Sequence, residues 1–131
     1  SDVKAFLEAA YRALRPGGGL FFDVSTRRKL EERLGNNCLG DDGETVSYLW
    51  QNHYHAPSRT LQMDLTFFVR QADGRYARFL ETHFQRAHEE EELASLLEEA
   101  GFSHIRTYGD RTFSPPSLKD ERMHMAAVRA E

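Results

Sequence analysis

Two side chains in the middle of the chain have the chemistry to move a proton, Asp64 and His83. An imidazole titrates near neutrality, and a carboxylate beside it can fix its tautomer and orientation. Such a pair can deprotonate an amine or hydroxyl as it attacks an electrophile. A cross-strand polar pair on a solvated sheet face uses the same residue types, and both readings stand at this point. His53-x-His55 puts two imidazoles on one face of an extended segment, a spacing that can bind metal. No third ligand accompanies them, since His83 lies two strands away and Asp64 is diagonal, so no metal is expected. Tyr48, Trp50 and Tyr54 recur at period two, and such an aromatic row either packs a core or stacks on a planar substrate. Cys38, the single cysteine, has no evident activating neighbour and reads as a small half-buried side chain.

Whether Asp64 meets His83 depends on the strands that carry them. Between residues 44 and 87, three runs of alternating residues are separated by Pro57-Ser58 and by Asp73-Gly74, the latter a strong hairpin signal. If both are two-residue loops, Tyr48 lies opposite Phe67 and Leu80, Trp50 opposite Leu65 and Thr82, and Asn52 opposite Met63 and Phe84. With Val46, Tyr54, Leu61 and Val69 these residues make one strongly apolar face. The other face then carries Gln51, Asp64 and His83 in one row. His53, Gln62 and Gln85 form the next, and Leu49, Thr66 and Glu81 a third. A slip of one residue would exchange the faces, so the inference rests on the turns.

The flanking elements follow from hydrophobic spacing. Val3, Phe6, Leu7, Ala10 and Leu14 make a helical stripe, which Pro16 should end near Arg15. Gly17, Gly18 and Gly19 let the chain reverse into Leu20-Phe21-Phe22, a continuous apolar run expected of a strand covered on both faces. Ser25 or Thr26 can cap a short helix through about Leu34. Arg27, Arg28 and Lys29 then lie near its positive end, beside either an anionic ligand or solvent. Gly35-Asn36-Asn37 stops it, and Gly40-Asp41-Asp42-Gly43 reads as a turn-rich loop. Further on, Glu89 to Glu92 suit the dipole of a helix carrying Leu93, Leu96, Leu97 and Ala100, with Gly101 at its end. Strands are expected at 102–108 and 122–129, with an irregular connection around Pro115-Pro116 and with Met123 and Met125 as core filler.

Composition narrows the function classes. The 131 residues suffice for one domain with its own core, with 44–87 as a β-meander insertion inside it. A net charge of −4 with no basic run argues against nucleic acid, which needs clustered Lys and Arg. No apolar run is long enough to span a bilayer, so no membrane association is expected. One cysteine excludes an internal disulfide framework and fits a reducing, cytoplasmic compartment.

The stretch 14–24, Leu-Arg-Pro-Gly-Gly-Gly-Leu-Phe-Phe-Asp-Val, resembles the later half of a class I S-adenosylmethionine-dependent methyltransferase, where such a segment leads into the fifth strand. Glu98-Glu99-Ala100-Gly101-Phe102 is similar to that family's approach to its sixth strand, and 122–129 to its seventh. The segment between them resembles an insertion of one bacterial branch, which often shows Glu-x-His-x-Gln-Arg where Glu81, His83, Gln85 and Arg86 stand here. The resemblance implies an α/β fold: a partial Rossmann-like sheet of the last three strands, the final one antiparallel between the others, with a three-stranded antiparallel insertion.

It also implies S-adenosylmethionine as cofactor of the complete protein and a small-molecule acceptor. His83 and Asp64 would be the catalytic pair, with Glu81, Arg86, Trp50 and Tyr48 around the substrate. The family's cofactor site is a glycine turn after the first strand, because backbone must approach the ligand closely at the carboxyl ends of the strands. The only glycine cluster here precedes a strand instead of following one, so no residue of this chain is assigned to the cofactor. The expectation is thus a substrate-side half lacking the N-terminal strands, or alternatively a non-catalytic binding or assembly module. Its exposed edge at 20–24 should pair with the missing half or with a second copy.

Overall fold

Helical spacing and strand alternation account for most of the elements. The computed structural model describes residues 2–131. In chain order they are α1 (Asp2–Ala13), β1 (Gly19–Ser25), a π-helical segment (Lys29–Leu34), β2 (Cys38–Asp42), β3 (Val46–His55), β4 (Thr60–Arg70), β5 (Tyr76–Arg86), α2 (Glu90–Ala100), β6 (Phe102–Tyr108) and β7 (Arg122–Arg129). They sort into two units, residues 2–28 with 88–131, and Lys29–Ala87. Among the described residues no helix is long and apolar enough to cross a membrane.

In the first unit, Val3, Leu7, Ala10 and Leu14 of the α1 region turn to one side, and Leu7 is fully buried. Phe6, expected in the same stripe, is exposed. It stands one residue from Leu7, roughly 100° around the helix, which takes it off the buried line. Past α1, Gly17 adopts φ +77°, and the turn docks on β7: Gly17 N–H donates to the Arg129 carbonyl at 2.9 Å and Arg129 N–H to the Gly18 carbonyl at 2.8 Å. The Arg129 guanidinium donates to the carbonyls of Tyr11 and Leu14 and lies over the Tyr11 ring, 4.7 Å from its centroid. It thereby satisfies carbonyls that a helix C-terminus leaves without partners.

The sheet of this unit runs β1-β7-β6, with β7 antiparallel to both neighbours, as the resemblance implies. Met123, Met125 and Ala127 of β7 are buried with Leu7, Leu93, Leu97 and Phe102, so the methionines do fill the core. Leu20, Phe22 and Val24 lean on the same cluster. Phe21 points the other way, is 66% exposed, and stacks on the His124 ring at 5.8 Å. The expectation that β1 is covered on both faces is therefore corrected: within the described residues the helices cover one face only. α2 ends as expected on Gly101, whose left-handed backbone (φ 102°) directs its N–H to the carbonyls of Leu97 and Glu98.

The second unit is a sheet of order β2-β3-β4-β5, all antiparallel. β2 is one strand more than expected and runs through the glycine- and aspartate-rich segment read as a loop. The first hairpin has the expected register, with Tyr48 opposite Phe67, Trp50 opposite Leu65 and Asn52 opposite Met63. The second is shifted by one residue: Phe67 pairs with Phe79, Leu65 with Glu81, Met63 with His83 and Asp64 with Thr82. Gln71 N–H donates to the Arg75 carbonyl, leaving Ala72, Asp73 and Gly74 as the loop, with Gly74 at φ +82°. A three-residue hairpin with a glycine in the left-handed region is a standard alternative to the two-residue turn. The helix expected after Ser25 or Thr26 does form: Arg27 and Arg28 are helical and continue into the π-helical segment that ends at Leu34, while Ser25 completes β1 and the Thr26 hydroxyl donates to the Asp120 carbonyl at 2.7 Å. Leu30 and Leu34 pack with Leu61, Ala87, Tyr54 and Met63 as a small core.

Candidate functional site

The shifted register decides which polar residues can meet. Because faces alternate along a strand, pairing Asp64 with Thr82 puts Asp64 and His83 on opposite faces of the sheet. The predicted Asp64–His83 pair is thereby corrected. Asp64 instead accepts from Gln62 Nε2 at 3.1 Å on both carboxylate oxygens and from the Thr82 hydroxyl at 2.9 Å. The Gln62 and Thr82 bonds, outweighing desolvation, hold its carboxyl below the usual value, with a smaller contribution from His53 at 3.9 Å. A carboxylate stabilised in that way is a weak proton acceptor.

His83 finds a different carboxylate. Its Nε2 lies 3.0 Å from Glu81 Oε2, two residues away on the same strand face. An ionised carboxylate only accepts, so in the neutral imidazole this contact places the proton on Nε2 and leaves the lone pair on Nδ1. Glu81 stands across β4 from Trp50 by way of Leu65, and His83 across from Asn52 by way of Met63. Tyr48 lies on the same face, its ring 6.4 Å from that of Phe67. Of the six predicted site residues, Tyr48, Trp50, Glu81 and His83 share one face. Asp64 and Arg86 lie on the reverse, Arg86 opposite Thr60.

Sequence reasoning placed Asn52 on this face only as packing, and Tyr54 as part of an aromatic row that packs a core or stacks on a substrate. Asn52 is 2% exposed, and both atoms of its amide find no hydrogen-bond partner among the described residues. Trp50 Nε1 and the Tyr54 hydroxyl are buried without partners as well. Buried polar atoms are rarely left so, and three such side chains at positions i, i+2 and i+4 of β3 form a row of about 14 Å by strand geometry. An amide interrupting an aromatic row at period two was the available signal.

The remaining candidates separate. His55 Nδ1 lies 2.8 Å from the Ser58 hydroxyl, and His53 faces Asp64. Among the described residues no three His, Cys, Asp or Glu side chains converge as a metal site. Cys38 is exposed, contrary to the half-buried expectation. An open depression of about 460 Å³ lies at the β2–β3 end, lined by Asp41, Asp42, Tyr48 and Phe68 among others, and of the predicted site residues it reaches Tyr48 alone.

A nucleotide-type cofactor needs a glycine turn that follows a strand and opens a helix. Gly17 to Gly19 instead close α1 and enter β1, and a Cβ at Gly18 would stand 2.8 Å from the Arg15 carbonyl, so that glycine serves the turn itself. Among the described residues no strand is followed by such a turn, and the residues present do not compose a cradle for S-adenosylmethionine.

No protein-family model matches the chain. Sequence and fold comparisons nevertheless find likenesses: the chain is similar to proteins described as methyltransferases, among them S-adenosylmethionine-dependent ones. In sequence it is 33% identical, over all 131 residues, to the Bacillus subtilis (strain 168) protein named "Putative methyltransferase YqeM", of which it covers 53%. In fold it matches a S-adenosylmethionine-dependent methyltransferase from Clostridium acetobutylicum ATCC 824 at TM-score 0.83 and 28% identity, over 99% of this chain and 52% of that one. CalS10, an amino pentose methyltransferase from Micromonospora echinaspora solved with S-adenosylmethionine bound, shares the fold at TM-score 0.67 and 20% identity, over 97% and 50%. The chain spans about half the length of the curated relatives it matches.

Proposed function

We propose that the chain is the substrate-side portion of a S-adenosylmethionine-dependent methyltransferase acting on a small polar acceptor. The observation that carries this reading is the row of buried polar atoms on Trp50, Asn52 and Tyr54, without hydrogen-bond partners among the described residues, beside the Glu81–His83 pair. Trp50 and Tyr48 give an acceptor an apolar wall, and the polar tips give it hydrogen bonds. Glu81 holds the Nε2 proton of His83, so Nδ1 can take a proton from the acceptor's amine or hydroxyl. The roles of Asp64 and Arg86 shift accordingly: on the reverse face they support β5 and do not touch the acceptor. The cofactor is assigned to residues outside this chain, which fits its match to half the length of its relatives. β1, whose one strand neighbour among the described residues is β7, is the edge on which that other portion would pair. The single cysteine fits a cytoplasmic setting.

The test is to extend the chain with its upstream coding sequence and titrate both forms with S-adenosylmethionine by calorimetry. The longer protein binds and this chain does not. In the longer protein, His83→Ala lowers turnover by roughly 10²–10⁴-fold, the usual worth of a positioned base, with cofactor affinity unchanged. Unchanged turnover returns His83 to a solvated sheet face. A longer protein that binds no cofactor favours the second reading, a non-catalytic binding or assembly module, which the absence of a glycine cradle also suits.

A further inference from the structure

β5 is the outer strand of its sheet, and every residue from Arg78 to Phe84 is exposed. Natural proteins protect such edges with proline, bulges, short strands or charged side chains. β5 has only the last, Arg78, Glu81 and Arg86: it is 11 residues long, contains no proline and pairs with β4 without a break in register. Leu80 and Phe84 are 65% and 68% exposed on one face, and Phe79 is exposed on the other. Strand geometry also fixes which backbone groups face outward. Gln71 N–H donates to the Arg75 carbonyl and Ala87 N–H to the Arg59 carbonyl, so odd-numbered positions on this side of the hairpin turn their backbone toward β4. Leu80, Thr82 and Phe84 therefore direct N–H and C=O away from the sheet.

We propose that this edge pairs with β5 of a second copy, antiparallel, about a two-fold axis through Thr82. A two-fold axis perpendicular to the sheet keeps each face on its own side, so even positions meet even and odd meet odd. Centred on Thr82, Leu80 lies opposite Phe84 twice, and Glu81 lies opposite His83 of the second copy twice. Centred on Glu81, two carboxylates face each other, and centred on Leu80, Phe79 meets Glu81. Charge and apolar complementarity thus select the Thr82 register. Arg78 meets Arg86 at each end, where long side chains reach solvent and like charge costs little. The two sheets become one of eight strands, and each His83 gains a second carboxylate beside it. The pairing stands on the edge itself and holds whether or not the face is catalytic.

Cysteine trapping and sedimentation read the register directly. In a Cys38→Ser background, Thr82→Cys places two thiols on paired residues about 5.5 Å apart at Cα, within disulfide reach. Mild oxidation is expected to give a covalent dimer at least tenfold faster than for Leu80→Cys, whose own counterpart lies four residues along. In analytical ultracentrifugation the unmodified chain dimerises, while Leu80→Lys and Phe84→Glu each raise the dissociation constant at least tenfold with unchanged far-ultraviolet circular dichroism. Mixing those two variants restores dimers, because the new lysine then faces the new glutamate. A monomer at every concentration, a dimer indifferent to both substitutions, or equal crosslinking at the two cysteine positions overturns the proposal.

Discussion

The two sheets reach stability by different routes. The β1-β7-β6 sheet has strands of only seven or eight residues, yet two helices seal one face and bury a cluster of seven residues. The β2-β3-β4-β5 sheet has three strands of ten or eleven residues, and its buried cluster has three. The first is held chiefly by area removed from water, which scales with the side chains buried. The second is held by its ladder and by cross-strand pairs, each worth only a fraction of a kcal/mol to about one. A sheet of the second kind can carry polar side chains across a face and leave an edge open, and the candidate site lies there.

The sharpest way to break this comparison is to delete one core leucine from each unit. Leu97→Ala removes a fully buried side chain from the centre of the larger cluster and should cost about 2–5 kcal/mol. Leu61→Ala, equally buried but backed by fewer core neighbours, should fall at about the low end of that range because its surroundings can settle inward. Trp50, the only tryptophan, reports the second unit by fluorescence, and helical dichroism reports the first, so urea titrations followed by both signals resolve the two costs. If Leu61→Ala costs as much as Leu97→Ala, the second sheet is also core-driven and the contrast fails.

The same contrast explains what could be read before folding was known. Burial leaves a periodic trace, so α2, β6 and β7 are legible from Leu93, Leu97, Phe102, Met123 and Met125, and Gly101 marks the stop. Phe6 and Phe21 misled because apolar residues are not obliged to be inside. In the second sheet the trace fades. β2 is exposed along its whole length, and Gly40, Asp41 and Asp42 carry the composition of a loop, so a strand held on one edge left no signal. The register of β5 turned on whether Ala72 joins the loop, and two- and three-residue hairpin loops are both common. That single residue moved Glu81 and His83 onto the aromatic face and left Asp64 behind on the reverse face.

Glycine substitution sharpens the comparison at a smaller scale. Gly101 sits at φ 102°, and a Cβ there would stand 3.0 Å from the Tyr11 ring. Gly101→Ala therefore combines backbone strain with a displaced core aromatic and should cost about 2–3 kcal/mol. Gly74 has φ +82° in open space, so Gly74→Ala should cost about 1 kcal/mol from the left-handed backbone alone. Urea midpoints measured with the two signals above test the order. A larger loss at Gly74 would mean that the hairpin, not the helix-covered core, is the less tolerant region.

The smallest effect concerns Asp64, and it tests the register itself. A carboxyl held below its ordinary value in the folded chain adds stability at pH above its unfolded value, and that contribution is lost as pH falls through the folded value. Gln62 contributes most to the lowering and Thr82 next, while His53 contributes least. Carboxyl-carbon NMR titrations should therefore show the Asp64 midpoint rising toward the usual range in Gln62→Leu, rising less in Thr82→Val, and barely moving in His53→Ala. His83→Ala should leave Asp64 where it is. An Asp64 midpoint that follows His83 and ignores Thr82 would restore the two-residue hairpin, return the imidazole to the reverse face, and dissolve the grouping of Glu81 and His83 with Trp50.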